Sequence, residues 1–162
     1  MNPFPVATHI LDLLEALTDK KPVSVPRKPA PLNGNGRAPV FAGIYKTDSE
    51  SGIDAALIVD FTVAVGCAAA MIKLGPSGVQ EELKTQRGGE MLRPTLYEVL
   101  NIASSLLNAS GHPHVRLTDL IEWQNQPPET VSALLAGEHQ RLDLDLTFAP
   151  CPAGRVVLIR SN

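Results

Sequence analysis

The amino-acid sequence predicts an α/β (α+β) domain in which helices pack on a sheet that is at least partly antiparallel. Paired strand patterns occur at residues 40–59 and again at 141–160. Three helical patterns, then one strand and one short helix, lie between these pairs. With an amphipathic helix near the N-terminus, the expected order is α, ββ, ααα, β, α, ββ.

The first strand pair, residues 40–46 and 53–59, is joined by polar residues that end in a glycine, which is typical of a hairpin. Asp60 or Thr62 can cap the next helix, because a short side-chain oxygen accepts hydrogen bonds from the free N–H groups of a first turn. That helix is apolar on nearly all sides and is expected to be buried. The three helices are predicted at residues 60–74, 77–87 and 92–108.

The second half of the chain adds a strand at 114–123, a short helix at 129–136 and a last strand at 155–160. Residues 141–148 alternate strictly between polar and apolar side chains, which is typical of a half-buried strand. Its polar side chains, Asp143 and Asp145 among them, are expected to face solvent. We prefer this interpretation to a pair of acid catalysts.

Composition divides the chain into three parts. Residues 1–19 form an amphipathic helix, with apolar side chains at helical spacing: Val6, Ile10, Leu13, Leu14 and Leu17. Residues 20–39 contain five prolines and five basic residues but no acidic one, which predicts a basic, Pro-rich linker that is extended or mobile. Residues 40–162 form the globular domain.

The composition also argues against several classes of partner. The net charge is −3 and lysines and arginines form no compact cluster, so nucleic acid is not expected to bind. No uncharged apolar run approaches the roughly 20 residues that span a bilayer, and the N-terminus has no signal pattern. We therefore expect a cytoplasmic protein without membrane contact. Cys67 and Cys151 are interpreted as reduced thiols rather than a disulfide or a metal site.

The helix at 92–108 carries the candidate site. Its polar side chains are spaced by three or four residues and are expected on one face: Thr95, Glu98, Asn101, Ser105 and Asn108. Glu98 and Asn101 are one turn apart and can point the same way. Any surface helix needs a solvated face, so Glu-x-x-Asn alone is a weak motif. Asparagine inside a helix is mildly costly, because its side chain competes for backbone hydrogen bonds, and this slightly favours a functional role.

The order of elements and this motif resemble the CheC/CheX family of chemotaxis phosphatases, in particular its CheX-like members with a single motif. The resemblance covers residues 40–162. The segments that carry it are residues 53–74, the run Tyr97-Glu98-Val99-Leu100-Asn101-Ile102, the strand that begins Pro113-His114-Val115, and residues 142–159. The resemblance implies a CheC/CheX-like fold.

The same resemblance implies a protein aspartyl-phosphate phosphatase that acts on a CheY-like response regulator. Asn101 would orient the water that attacks the acyl phosphate, and Glu98 would engage the active-site lysine of the regulator. Thr95, Ser105 and Asn108 would add binding contacts on the same face. The regulator would supply Mg²⁺, so no cofactor or metal is expected on this chain.

Other interpretations stay open. The family usually has Asp or Ser four residues before the Glu, where this chain has Pro94. The chain could instead be a non-catalytic adaptor or a dimeric scaffold of the same fold, which binds a response regulator or a flagellar-switch component. A homodimer is expected from the resemblance and from a sheet edge. His112-Pro113-His114 could hold a metal, but no third ligand is near in sequence, and a loop-to-strand junction is preferred.

Overall fold

The computed structural model of the protein describes residues 4–49, 52–108 and 113–161. From residue 40 onward, every predicted helix and strand is present, with small differences at the ends. The fold class expected from the sequence is confirmed, and all five strand pairings are antiparallel. The elements are α1 (Ala7–Thr18), β1 (Val23–Pro26), β2 (Val40–Lys46), β3 (Ala55–Val59), α2 (Phe61–Ile72), α3 (Pro76–Thr85), α4 (Leu92–Leu107), β4 (Arg116–Trp123), α5 (Glu129–Ala136), β5 (Gln140–Thr147) and β6 (Gly154–Arg160).

The six strands form one sheet in the order β1-β5-β6-β3-β2-β4. The two predicted hairpins meet at its centre, where β3 pairs with β6 and Leu57 stands opposite Leu158. β1 and β4 are the two edges of the sheet. Because successive side chains of a strand point to opposite faces, the central strands supply two separate cores.

The two cores are covered by different elements. On one face, α1, α2 and α4 pack on the sheet and α3 adds Val79 to the same core, which also contains Phe41 and Tyr45 of β2. On the other face, α5 and the segment around Leu32 cover the alternate side chains of β2, β3 and β6. With both faces covered, β6 is buried along its whole length.

Residues 20–39, expected to be a linker, make contacts with the sheet. β1 lies within this segment and pairs with β5 at the sheet edge. Further along, Leu32 is buried and its carbonyl oxygen accepts a hydrogen bond from Trp123 Nε1 at 2.9 Å. Proline-rich chain is extended and leaves carbonyl groups unpaired, so an adjoining sheet edge and nearby side-chain donors can hold it.

The N-terminal helix likewise packs into the domain. Ile10 and Leu14 of α1 are buried in the core that α2 and α4 share. The apolar stripe predicted from the sequence is therefore the side of α1 that faces the sheet, except for Val6, which precedes the helix and is 50% exposed. α1 therefore contributes to the main core and packs on the same sheet as α2 and α4.

Asp143 is buried, which corrects its expected solvent-facing position. Its carboxylate accepts from Arg141 Nε at 2.7 Å and from Arg155 Nη2 at 2.8 Å, and its side chain has no exposed surface. Asp145, two residues on, is partly exposed and pairs with Arg27 at 2.8 Å. The strand is not half-buried because residues 27–39 and α5 cover the face that the alternation assigns to solvent. A charge can be buried there because it is paired.

The start of α2 agrees with the sequence prediction. Asp60 is its N-cap, and its carboxylate accepts from the backbone N–H of Val63 at 3.0 Å. The second oxygen accepts from the N–H of Arg155 at 2.8 Å, which ties the helix to β6. Burial raises the pKa of this carboxyl above its ordinary value, although these hydrogen bonds oppose the change. α2 is buried on most sides, as expected.

Candidate functional site on helix α4

α4 presents an exposed stripe that contains the predicted catalytic pair. Glu98, Asn101 and Ser105 are all exposed, and each is three or four residues from the next. Leu96, Val99 and Leu100 lie on the opposite side and are buried in the core. The structure thus brings three of the five predicted site residues together on one open surface.

Thr95 is not on this surface. The side chain is only 5% exposed, and it lies one turn before the buried Val99. The sequence groups it with the polar side chains of α4, but the packing of the helix in the domain buries it. The expected binding role of Thr95 therefore has no exposed group to support it.

Asn108 caps the end of α4 and binds the chain's own backbone. Its Oδ1 accepts from the N–H of Val115 at 2.8 Å, and its Nδ2 donates to the carbonyl of Val115 at 2.9 Å. The same Nδ2 lies 3.2 Å from His114 Nε2. These bonds join the helix end to the strand β4, so the amide of Asn108 fixes α4 rather than standing free for a partner.

Other anchors of α4 were not foreseen from the sequence. The hydroxyl of Tyr45, buried in β2, donates to the carbonyl of Leu100 at 2.6 Å. Arg160 Nη1 of β6 donates to the carbonyl of Leu107 at 2.8 Å. Both groups lie in apolar strands, where a buried phenol or guanidinium needs a hydrogen-bond partner. A polar side chain within an apolar strand pattern is therefore the sequence signal that could have revealed these anchors. Burial raises the pKa of Tyr45 and lowers that of Arg160.

The N-terminal end of α4 is held to the edge strand. Arg93 Nε and Nη2 donate to the two carboxylate oxygens of Glu122 in β4, at 2.9 and 2.8 Å. The guanidinium carbon of Arg93 also lies 5.7 Å from the centre of the Phe41 ring. With the anchors at Leu100, Leu107 and Asn108, this contact fixes α4 along its length, so the exposed stripe is a rigid surface.

The side chains of Glu98 and Asn101 form no hydrogen bond or ion pair with the described residues. Two partly apolar side chains flank them: Tyr97 is 41% exposed and Ile102 is 42% exposed. One carboxylate and one amide can bind a cationic side chain and orient a water molecule. They supply too few oxygen ligands to hold a divalent metal by themselves. Across residues 4–49, 52–108 and 113–161, no cluster of His, Cys, Asp and Glu fits a metal.

The other candidates from the sequence are the two cysteines and the run His112-Pro113-His114. Cys67 and Cys151 are free and buried, and burial raises the pKa of Cys67 to about 12, so this thiol is protonated and unreactive at neutral pH. His114 contacts Asn108, and His112 lies outside the described residues. None of the helices in the described part of the chain combines the length and the apolar character needed to cross a membrane.

No protein-family model matches the sequence, and no curated protein is significantly similar to it. Solved structures do share its fold. CheX from Vibrio vulnificus has a TM-score of 0.55 at 12% identity, and 99% of each chain is covered. The CheX–CheY–BeF₃–Mg²⁺ complex from Borrelia burgdorferi gives 0.51 at 12% identity, covering 93% of this chain and 92% of that one. The FliM middle domain from H. pylori gives 0.55 at 9% identity, covering 96% and 84%.

These likenesses confirm the CheC/CheX-like fold that the sequence resemblance implied. The coverage extends over more than residues 40–162, in agreement with the packing of α1 and β1 on the same sheet. At such low identities the structures establish the fold alone.

Proposed function

We propose that this protein is a CheX-like regulator that binds a phosphorylated CheY-type response regulator and promotes hydrolysis of its aspartyl phosphate. The observation that carries the proposal is the pair Glu98 and Asn101, exposed side by side on a helix fixed at several points and without partners among the described residues. The CheX–CheY complex with the same fold supports the choice of partner.

In the proposed reaction, the carboxamide of Asn101 holds a water molecule in line with the phosphorus atom of the regulator's aspartyl phosphate. The water oxygen forms a bond to phosphorus as the bond from phosphorus to the aspartyl oxygen breaks. The products are a free aspartate carboxylate and inorganic phosphate, and the proton of the water passes to phosphate or solvent. Mg²⁺ belongs to the regulator and neutralises the phosphoryl charge there.

Glu98 has a different role in this proposal. It is one turn before Asn101, so its carboxylate can pair with a lysine beside the regulator's phosphorylation site while the amide reaches the phosphoryl group. Ser105, one turn after Asn101, would extend the contact surface. Pro94 stands where the family usually has Asp or Ser, and it offers no hydrogen-bonding side chain, so the pair acts without that group.

A second candidate is a non-catalytic adaptor or dimeric scaffold of the same fold, which binds a response regulator or a flagellar-switch component. Tyr97 and Ile102 favour it, because exposed apolar side chains beside a polar pair suit a binding surface whether or not a reaction follows. The likeness to the FliM middle domain also supports it. A second copy of the chain could pair at the exposed edge of β4.

The deciding experiment measures phosphate release from purified, phosphorylated CheY-type regulators of the source organism. We expect Asn101→Ala to slow the accelerated release by about 10- to 1000-fold while regulator binding and folding are kept, the scale of one lost positioning contact. Glu98→Ala should mainly weaken binding. Gln80→Ala and Glu129→Ala remove an exposed amide and an exposed carboxylate from other helices, and serve as matched controls.

The outcomes separate the two candidates. If the wild-type protein binds a regulator without accelerating its dephosphorylation, and Glu98→Ala weakens binding, the adaptor is correct. If neither α4 variant differs from its control in binding or turnover, the stripe is an ordinary solvated helix face and the assignment is wrong.

A further inference from the structure

A groove opens beside the N-terminal end of α4. It lies between the second half of α2, the helix α3 and the turn that leads into α4, and its volume is about 330 Å³. Ala68 and Ala69 of α2 form part of its buried floor. Three large apolar side chains on its walls remain open to solvent: Ile72 is 46% exposed, Leu74 37% and Met91 58%.

This clustering of exposed apolar side chains is unusual for the molecule. Eight large apolar side chains are exposed among the described residues; three of them line this groove and two more, Tyr97 and Ile102, lie on α4. Scattered single cases need no explanation, whereas a contiguous apolar surface marks an interaction site. The groove and the exposed side of α4 therefore carry five of the eight exposed large apolar side chains among the described residues.

The charge at the groove has one sign. Glu82 and Glu90 are the only charged side chains that line it, among the described residues, and both are acidic. Glu82 Oε2 accepts from the N–H of Gly89 at 2.7 Å, which fixes that carboxylate at the rim. Glu90 is exposed and has no partner among the described residues. An apolar floor with two carboxylates matches a segment that presents a large apolar side chain next to a lysine or arginine.

The groove lies beside the exposed stripe of α4. Met91 and Glu98 are seven residues apart, which is close to two helical turns, so Met91 lies on the same side of the helix as Glu98. Along the helix axis this separation is about 10 Å. One partner surface of ordinary size can contact both positions at once.

We propose that the groove is a second docking contact for the response regulator that meets α4. It would receive a large apolar side chain, flanked by a lysine or arginine, from a regulator segment about 10 Å from the lysine that pairs with Glu98. This inference rests on the proposed function and adds a determinant of partner choice. Regulators that lack this apolar and basic combination would bind less tightly.

The test measures affinity for the CheY-type regulators of the source organism, each activated with BeF₃⁻ and Mg²⁺. We expect Met91→Glu and Ile72→Glu to weaken binding by about tenfold or more, because each places a charge where an apolar side chain should dock. Val25→Glu on β1 is the matched control, since Val25 and Met91 are both 58% exposed. It should change the affinity by less than about twofold. Glu90→Lys should weaken binding more than Glu90→Gln.

Circular dichroism and thermal melts of each variant establish that its fold is intact, and the exposure of these side chains makes that the expected result. If Glu98→Ala weakens binding while Met91→Glu and Ile72→Glu match the control, the groove inference is wrong and the proposed function stands. If the wild-type protein binds none of the regulators, the proposed function fails and the groove inference fails with it.

Discussion

The two faces of the sheet are covered in different ways. On the face that carries α4, helices bury a continuous apolar core, and a few polar anchors such as Tyr45 and Arg160 fix the helix positions. On the opposite face, an eight-residue helix and a proline-rich segment do the covering. That segment is held through its backbone carbonyls, which accept from Arg141, Arg155 and Trp123.

The difference shows how a segment without regular structure can close a sheet. Proline removes backbone donors and leaves carbonyl oxygens to be satisfied, and guanidinium groups supply several donors each. Two buried cations then require an anion, and Asp143 is placed between them. The helices on the face with the candidate site are held mainly by apolar contacts, whereas the proline-rich segment on the opposite face is also held by the arginines that pair with Asp143.

The largest expected effect comes from removing that carboxylate. Asp143→Ala leaves Arg141 and Arg155 buried without a counter-charge and should lower the free energy of unfolding by about 3–5 kcal/mol. Arg155 Nε already lacks a hydrogen-bond partner, so this cluster has no spare acceptor. Urea unfolding at neutral pH measures the change. Asp145→Ala, which removes a partly exposed partner of Arg27, is the control and should cost no more than about 1 kcal/mol. Equal effects of the two substitutions would contradict the assigned role of Asp143.

Amide hydrogen exchange compares the stability of the proline-rich segment with that of the central strand β6. The backbone N–H groups of Arg27, Gly34 and Gly36 donate to the backbone carbonyls of Asp143, Asn125 and Gln124, respectively. These amides should be protected from exchange in the wild-type protein. In Asp143→Ala their protection should fall by more than that of the β6 amides, because the proline-rich segment loses its attachment first. Exchange of these three amides as fast as in an unfolded chain, already in the wild type, would support the mobile linker that composition predicts.

A smaller effect is expected on the face with the helices. Tyr45→Phe removes the hydrogen bond to the carbonyl of Leu100 and should cost about 1 kcal/mol, since the aromatic ring continues to fill the core. Tyr97→Phe, on the exposed side of α4, should have no measurable effect on unfolding. Thermal or urea unfolding of both variants tests this. A Tyr45→Phe protein as stable as the wild type would show that the anchor is not needed to hold α4.

Much of the fold could be predicted because it follows local patterns. The alternation at 141–148 and the cap at Asp60 identify their elements correctly. The predictions that failed concern side chains whose burial depends on packing against other parts of the chain. Asp143 was expected in solvent because the sequence does not reveal that the proline-rich segment returns to cover its face. In the same way, Glu98 and Asn101 could be placed on an exposed stripe, but the burial of Thr95 depends on how α4 packs in the domain.

The last expected effect is a pH dependence of stability that belongs to the face with the helices alone. Burial raises the pKa of the Cys67 thiol from 9.0 to about 12. In the unfolded chain this thiol loses its proton near pH 9, while the folded protein keeps it, so the folded state binds more protons between these values. Stability should therefore fall as the pH rises through this window, by at most about 1.4 kcal/mol per pH unit for one group.

Urea unfolding at about pH 8 and about pH 10 in reducing buffer measures the fall, which should be shallower in Cys67→Ala because the variant lacks the titrating group. Burial also raises the pKa of the Cys151 thiol, so part of the fall should persist in the variant. Equal slopes for the wild type and Cys67→Ala would show that the thiol titrates alike in both states, and hence that α2 is not closed over the sheet as the structure describes.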